Sequence, residues 1–156
     1  MATTDVTHVL DEAGVQYELL THAHTETAAA EAEALGLPPG EVAKTLVLRT
    51  PDGYLRAVLP ASERLDLRKL RKLLGAGKHK VNLASEDDLR RDFPEFELGA
   101  VPPVGGGRRD PVVIDNRLAG RESIVLEGGS HQGSIRLAAD GLVRAGGGQL
   151  ADICED

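Results

Sequence analysis

The chain has 156 residues, 41% of them hydrophobic, and a mean hydropathy of −0.20, which is typical of a globular domain that buries roughly 70% of its unfolded surface. Two Tyr, two Phe and no Trp argue against a protein that stacks single-stranded bases on aromatic rings, and no apolar run approaches the roughly 20 residues that cross a bilayer. The net charge is −7 and Cys154 is the single cysteine, which excludes an intrachain disulfide framework and, with no export signal at the first residues, favours a cytoplasmic protein.

Hydrophobic periodicity and turn residues divide the first half of the chain into two helices and three strands. In chain order we expect a helix to about residue 13, a strand over 15–20, a helix over 28–35 ended by Gly36, and strands over 42–48 and 54–59 joined by a tight turn.

The second half continues the mixture of helices and strands, interrupted by a long segment rich in Gly and Pro. We expect a helix opened by Ser62, a strand over 80–83, a capped helix over 85–92, an irregular stretch over 93–110, strands over 112–114, 123–126 and 134–137, and a last helix over about 138–146. No repeat or linker divides the chain. The pattern predicts a single domain over residues 1–156, of the α+β class or with helices packed around a mixed sheet.

The strand over 42–48 contains a lysine among apolar residues. Alternation places Val42, Lys44, Leu46 and Leu48 on one face. A buried ammonium requires an anion or several acceptors. Two interpretations remain open: a structural lysine that reaches water or a carboxylate, and an anchor for an anion or carbonyl at the floor of a pocket.

Two loops are candidates for substrate contacts. Residues 99–107 combine Gly and Pro, which produces a rigid loop whose remaining N–H groups can face a carbonyl oxygen or simply a structural turn. His131 lies in a Gly-flanked loop over 128–134, where an imidazole can exchange protons. Its neighbour Ser130 does not indicate a serine hydrolase, because adjacency in sequence does not pair a hydroxyl with a ring nitrogen.

Other patterns are weaker. The spacing of His22 and His24 fits a metal site, but no second ligand cluster accompanies it, so no metal is expected. Acidic neighbours make Cys154 a poor nucleophile. Residues 64–80 hold seven Lys or Arg residues and one Asp, which fits either a surface that binds a polyanion or a solvated helix face.

The order of Lys44-Thr45-Leu46, the Gly-x-x-Pro-Pro loop at 99–103 and Gly129-Ser130-His131 resembles the YbaK/ProX family of aminoacyl-tRNA deacylases, relatives of the editing domain of bacterial prolyl-tRNA synthetases. The resemblance covers nearly the whole chain, including the helix opening after Thr27. It implies a single α+β domain whose central sheet is mixed and mostly antiparallel. It also implies hydrolysis of the ester between a wrong amino acid and tRNA, assisted by a hydroxyl of the terminal ribose rather than by a protein nucleophile.

The same resemblance implies roles for individual residues. Lys44 would hold the terminal phosphate or the aminoacyl end, the N–H groups of Gly99, Ala100 and Val101 would polarise the ester carbonyl, and His131 would lie beside the α-amino group. The remaining expected substrate contacts are Thr27, Thr45, Pro102, Pro103, Gly129 and Ser130. The expected tRNA-binding residues are Arg64, Arg68, Lys69, Arg71, Lys72, Lys78 and Lys80.

Thr45 favours the branch that removes cysteine from tRNA for proline, or a broader deacylase, whereas Gly129-Ser130-His131 favours the branch that removes alanine. The amino acid therefore stays open. The expected partners are tRNA and, as a further candidate, prolyl-tRNA synthetase. A monomer or weak homodimer is expected, without cofactor, DNA or membrane. Two rival functions remain: a non-catalytic module that binds tRNA or an aminoacyl ligand, and a hydrolase of another small ester or amide.

Overall fold

A computed structural model describes residues 2–25, 27–77, 80–130 and 132–156. The helices are α1 (Ala2–Glu12), α2 (Ala28–Leu35), α3 (Leu67–Leu74), α4 (Glu86–Asp92) and α5 (Ala139–Gly146). The strands are β1 (Tyr17–Thr21), β2 (Ala43–Thr50), β3 (Gly53–Pro60), β4 (Asn82–Leu83), β5 (Val112–Asp115), β6 (Ile124–Ser130), β7 (Gly133–Leu137) and β8 (Gln149–Ala151). Short 3-10 turns cover Pro39–Glu41 and Asn116–Leu118.

The strands form two sheets that touch at one bridge. The larger has the order β4-β2-β3-β5-β8, with antiparallel pairing on the β2 side and parallel pairing between β3, β5 and β8. The smaller is antiparallel, in the order β1-β7-β6. A parallel bridge between Val42 and Val125 connects them. This confirms the α+β class with mixed, mostly antiparallel pairing, and adds β8, which the sequence did not indicate.

The two faces of β2 pack against different parts of the core. Ala43 and Val47 belong to the main apolar cluster, with residues of α1, α5, β6 and β7. Leu46 and Leu48 pack in a second cluster with Leu70 of α3. The alternation predicted for this strand is therefore present, and it places Lys44 on the face that carries Leu46 and Leu48.

The predicted helix ends are largely confirmed by their caps. Thr27 Oγ1 accepts a hydrogen bond from the Ala30 N–H at 3.0 Å, and Gly36 ends α2 in the left-handed conformation. Ser85 and Asp88 form the predicted capping box of α4. These local hydrogen bonds satisfy backbone groups that a helix leaves without partners at its ends.

The predicted start of α3 at Ser62 is wrong. Asp66 caps the helix by accepting the N–H groups of Arg68 and Lys69. The chain before it is extended, because Leu65 forms a β-bridge with Cys154. Tertiary pairing with the C-terminal segment thus removes the first turn that the leucine spacing predicted.

The predicted loop over 128–134 is also shorter than expected. β6 continues to Ser130 and β7 begins at Gly133, with a register shift between Glu127 and Ser130. Gly129 takes a positive φ of 102° in this irregular segment, a conformation that glycine adopts without steric cost. The predicted His131 lies outside the described residues. Pairing with β7 keeps the glycines in a strand despite their poor strand propensity.

Candidate functional site

Lys44 projects from β2, opposite Leu59 of β3, and its side chain is partly buried. Among the described residues its Nζ has no hydrogen bond and no carboxylate within salt-bridge distance. Burial lowers the pKa of Lys44; Cys154 opposes this shift, as does Glu63, whereas Arg64 adds to it. A cation that is partly desolvated and lacks a direct partner is suited to receive an anionic or carbonyl ligand.

The C-terminal segment beside Lys44 is held by a network of charges. Lys69 Nζ donates to Asp152 Oδ2 at 2.9 Å, to the Cys154 carbonyl at 2.7 Å and to Asp156 Oδ1 at 2.8 Å. Burial and the neighbouring Asp115 raise the pKa of the Cys154 thiol to about 12. The thiol is therefore protonated at neutral pH, which agrees with the prediction that Cys154 is a poor nucleophile.

The Gly- and Pro-rich loop is organised by Arg56, whose side chain is 1% exposed. Its Nη1 donates to the Pro102 carbonyl at 2.9 Å, and its Nη2 donates to the Gly105 carbonyl at 2.7 Å and to Asp110 Oδ2 at 3.0 Å. A planar guanidinium satisfies several acceptors in one plane. The loop is thus tied to β3 by a buried charged fork.

Two backbone hydrogen bonds determine which N–H groups at the start of this loop are already engaged. The Ala100 N–H donates to the Glu97 carbonyl at 3.0 Å, so this predicted donor is engaged inside a turn. The Glu97 N–H donates to the Gly129 carbonyl at 3.0 Å. Within the described part of the chain, the N–H groups of Gly99 and Val101 have no acceptor. The structure therefore joins the loop to the end of β6 and leaves two of the three predicted donors available.

Val101 of this loop and the face of β2 that carries Lys44 belong to different apolar clusters of the core. Val101 packs in the main cluster with Ala43 and Val47, whereas Lys44 shares the face of Leu46. By strand alternation Thr45, the next residue, is directed to the side of the loop. The structure thus associates Val101 with the face of β2 that carries Thr45, and it joins the loop to Gly129 through the Glu97 N–H.

A buried polar cluster lies beneath the end of β6. Glu31 of α2 is fully buried and accepts a short hydrogen bond from Ser134 of β7. His22 Nε2 lies 2.8 Å from Ser134 Oγ and 3.8 Å from Glu31 Oε2. Glu127 of β6 is 3% exposed, and neither of its carboxylate oxygens has a hydrogen-bond partner among the described residues. Burial, together with the charge of Glu31, raises the pKa of Glu127 to about 9.

This cluster has a simple chemical interpretation. Two carboxylates in one buried site cannot both be ionised without a large cost, so one of them holds a proton at neutral pH. Glu127, whose pKa is raised by burial and by Glu31, is the carboxyl that holds this proton. Through Glu31 and Glu127 the cluster links α2, which starts after Thr27, to the segment of β6 that ends at Ser130.

The predicted basic strip, residues 64–80, has only some of its cations available to bind tRNA. Lys69 is paired with the C-terminal carboxylates, and Arg71 donates to the Val81 carbonyl. Arg64 lies 4.0 Å from Glu155. Arg68, Lys72 and Lys80 are exposed without an ion pair to any described residue. The predicted Lys78 lies outside the described residues.

The described residues contain neither a membrane-spanning helix nor a cluster of metal ligands. None of the described helices is long and apolar enough to span a membrane. No group of three or more His, Cys, Asp or Glu side chains there is arranged to hold a metal ion. His22 of the predicted His-x-His pair instead contacts Ser134 and the Ala23 carbonyl.

Comparison with known proteins decides the family. The sequence model of the aminoacyl-tRNA editing domain matches residues 22–145. The chain belongs to the aminoacyl-tRNA editing domain family. The match begins directly after β1 and runs nearly to the end of α5, and it therefore includes all the predicted substrate contacts and residues 64–80.

Two individual relatives and one solved structure are similar to this editing domain. It is 28% identical over 154 residues to EbsC of Enterococcus faecalis, named as a candidate Cys-tRNA(Pro)/Cys-tRNA(Cys) deacylase, and the match covers 96% of this chain and 92% of EbsC. It is 30% identical over 105 residues to the proline–tRNA ligase of Fervidobacterium nodosum, covering 67% of this chain but 18% of the ligase. A crystal structure described as a candidate trans-editing enzyme for prolyl-tRNA synthetase superimposes with a TM-score of 0.88 at 27% identity, covering 99% and 98% of the two chains.

Sequence patterns missed four residues that organise the editing domain: Arg56, Glu31, Glu127 and Ser134. Two of them carried a signal, since Arg56 and Glu127 each interrupt an apolar strand, as Lys44 does. A charged residue inside a predicted buried strand requires an explanation by pairing or by protonation. Glu31 and Ser134 gave no comparable signal, because their burial arises from contacts between distant elements.

Proposed function

We propose that this chain is a trans-editing deacylase that hydrolyses the ester of a mischarged tRNA, most simply tRNA for proline that carries cysteine or alanine. The observation that carries the proposal is Lys44, a partly buried ammonium without a direct partner in a member of the editing domain family. The editing unit is proposed to comprise residues 1–156 and to act in the cytoplasm, as a monomer or weak homodimer with prolyl-tRNA synthetase as a candidate partner.

The reaction adds one water molecule across the ester. The water oxygen bonds to the carbonyl carbon, the bond from that carbon to the ribose oxygen breaks, and a proton passes to the ribose oxygen. We propose that a ribose hydroxyl of the terminal adenosine assists the attack, that Lys44 holds the terminal phosphate or aminoacyl end, and that His131 lies beside the α-amino group. The protein then contributes position and electrostatics rather than a covalent intermediate.

The loop next to β2 supports a second part of the proposal. The N–H groups of Gly99 and Val101 have no acceptor among the described residues, and Arg56 holds the following segment rigidly. Donors that are oriented before the substrate arrives stabilise the developing oxyanion without reorganisation. We therefore assign the carbonyl oxygen to the N–H groups of Gly99 and Val101, with Thr27, Thr45, Pro102, Pro103, Gly129 and Ser130 around the aminoacyl group.

The test is hydrolysis of tRNA for proline charged with cysteine, alanine, serine or proline. Wild type should deacylate one mischarged species much faster than the correctly charged tRNA, and Lys44→Ala should lower that rate by about 10²-fold or more. Arg90→Ala, which removes an exposed positive charge from α4, is the matched control and should retain the wild-type rate.

The outcomes separate the candidate functions. If folded wild type hydrolyses none of these species, the deacylase proposal for this tRNA is contradicted. Tight binding of the tRNA without hydrolysis would favour a non-catalytic module. Equal rates on full-length tRNA and on a minimal aminoacyl ester would favour a hydrolase of another small ester. Thermal unfolding of each variant shows whether a lost rate reflects chemistry or loss of the fold.

A further inference from the structure

A second basic feature lies away from Lys44, in a groove between α1, α5 and the Gly-rich loop. The cavity has a volume of about 660 Å³. Its walls are the C-terminal half of α1, residues 103–112 and the end of α5. It shares no residue with the basic segment 64–80, and of the predicted substrate contacts it includes only Pro103.

The groove has an excess of positive charge that its own carboxylates do not neutralise. Four arginines line it: Arg56, Arg108, Arg109 and Arg144. The carboxylate of Asp110 is already paired with Arg56 and Arg108, and Glu12 contacts His8 at 3.2 Å. Arg109 and Arg144 are exposed and have no hydrogen bond or ion pair with a described residue. Two guanidinium groups are therefore available to an anion.

One wall of the groove contains an arginine held against two aromatic rings and, beside it, an exposed glycine. The Arg108 guanidinium lies 5.1 Å from the centre of the Tyr54 ring and 4.9 Å from that of Phe93. Gly107 has a positive φ of 67° and no atom within 4 Å of the position of a Cβ. A ligand can thus approach the backbone at Gly107 while the neighbouring cation is held by two rings.

The rest of the molecule favours an RNA ligand at this place. The chain carries a net charge of −7, so a polyanion is repelled by most of its surface and attracted where unpaired arginines cluster. On α3, Lys69 is already paired with Asp152 and Asp156, whereas Arg68 and Lys72 are exposed without an ion pair to a described residue. Guanidinium groups bind phosphate oxygens with two parallel hydrogen bonds, which suits recognition of a phosphate backbone.

We propose that the groove between α1 and α5 binds backbone phosphates of the tRNA through Arg109 and Arg144. This inference rests on the proposed deacylase function, since it names where the tRNA body contacts the protein. The groove adds a second contact surface to the exposed cations of α3, and the two surfaces can be tested against each other.

The experiment measures binding of uncharged tRNA by fluorescence anisotropy at several salt concentrations. Arg109→Glu/Arg144→Glu should weaken binding at least tenfold at low salt. It should also reduce the slope of log K against log salt by about 1.5 to 2, because two phosphate contacts are lost. Arg90→Glu/Arg136→Glu makes the same change of net charge at an exposed arginine of α4 and a half-buried arginine of β7, each already paired with a carboxylate. It is the control variant and should leave both quantities unchanged.

Three outcomes overturn the inference. One is an unchanged tRNA affinity and salt slope in the folded groove variant; another is a loss of equal size in the control variant. The third is that inorganic phosphate or ATP competes for the groove while tRNA binding does not depend on it, which would assign the groove to a free anion. Because binding of uncharged tRNA requires no hydrolysis, a groove-dependent affinity without deacylation would reject the proposed function and keep the inference.

Discussion

The carboxyl groups of Glu31 and Glu127 share one buried site, although they come from a helix and a strand that are 96 residues apart in the chain. The pKa of Glu127 is raised to about 9 by burial and by Glu31, whereas an unfolded Glu titrates near 4.3. Between these values the folded state binds more protons than the unfolded state, so the contribution of Glu127 to stability falls as pH rises.

Glu127→Gln should therefore stabilise the protein at alkaline pH. The amide replaces the neutral carboxyl and cannot ionise, so its advantage over wild type should be small at pH 5 and should grow by up to about 1.4 kcal/mol for each pH unit towards pH 8. Urea unfolding at a series of pH values measures the difference. Glu122→Gln, at an exposed glutamate, is the matched control and should show no such trend. A constant difference between pH 5 and 8 would contradict the shared proton.

Lys44→Met tests whether the lysine serves ligand binding or the fold. Because Lys44 has no direct ion pair and burial lowers its pKa, an apolar side chain of similar length should leave the fold equally or slightly more stable. The advantage should shrink as pH rises towards 10.5, since the buried lysine then loses its charge in both states. Deacylation should nevertheless fall by about 10²-fold or more.

Stability and activity are read from the same preparation of Lys44→Met. A marked loss of stability with a proportional loss of activity would show that Lys44 is a structural residue. Lys72→Met, at an exposed lysine without an ion pair to any described residue, controls for the removal of a positive charge from the surface.

Arg56→Ala should destabilise the protein by about 3–5 kcal/mol, because it removes a buried guanidinium and leaves Asp110 without its buried partner. The carbonyls of Pro102 and Gly105 lose their donors as well. Arg49→Ala, at an exposed arginine paired with Asp88, should cost less than about 1 kcal/mol. Chemical denaturation gives both values, and similar costs would argue against an organising role for Arg56.

Alanine substitutions at two adjacent glycines distinguish the cost of backbone strain from the cost of a steric clash. Gly106 and Gly107 both have positive φ, at 84° and 67°. A Cβ at Gly106 would lie 2.7 Å from Phe96 Cε2, whereas at Gly107 it would meet nothing within 4 Å. Gly107→Ala should cost about 1 kcal/mol from backbone strain alone, and Gly106→Ala should cost about 1–3 kcal/mol more from overpacking. Equal losses of melting temperature would show that Phe96 moves aside freely.

Local patterns predicted those elements whose stabilising contacts are also local. Thr27 and Gly36 bound α2, and Ser85 and Asp88 open α4, because caps depend on residues within one turn. The hairpin of β2 and β3 follows from a short turn between two apolar runs. The start of α3 failed for the opposite reason, since Leu65 is extended by its bridge to Cys154.

The residues of the candidate site also fall into two groups, those that local motifs indicated and those that only long-range contacts revealed. The motifs around Lys44, residues 99–103 and Gly129 were sufficient to indicate the family, because motif residues are recognised by type and spacing. The motifs did not predict how these residues are arranged in space, since that depends on the main apolar cluster that Val101 shares with Ala43 and Val47. Arg56, which holds that loop, and the carboxyl pair became recognisable as organising residues only through long-range contacts.

The sequence by itself determined the class of the fold, most helix and strand segments and the editing-domain resemblance, since periodicity, caps and motifs are properties of neighbouring residues. Only the tertiary structure decided which charges are available. Lys69 is engaged by the C-terminal carboxylates, and Glu127 is kept protonated by burial and by Glu31. In contrast, Lys44, Arg109 and Arg144 have no direct partner among the described residues. The physical reason is that desolvation and Coulomb interactions depend on distance in space, which spacing along the chain does not specify.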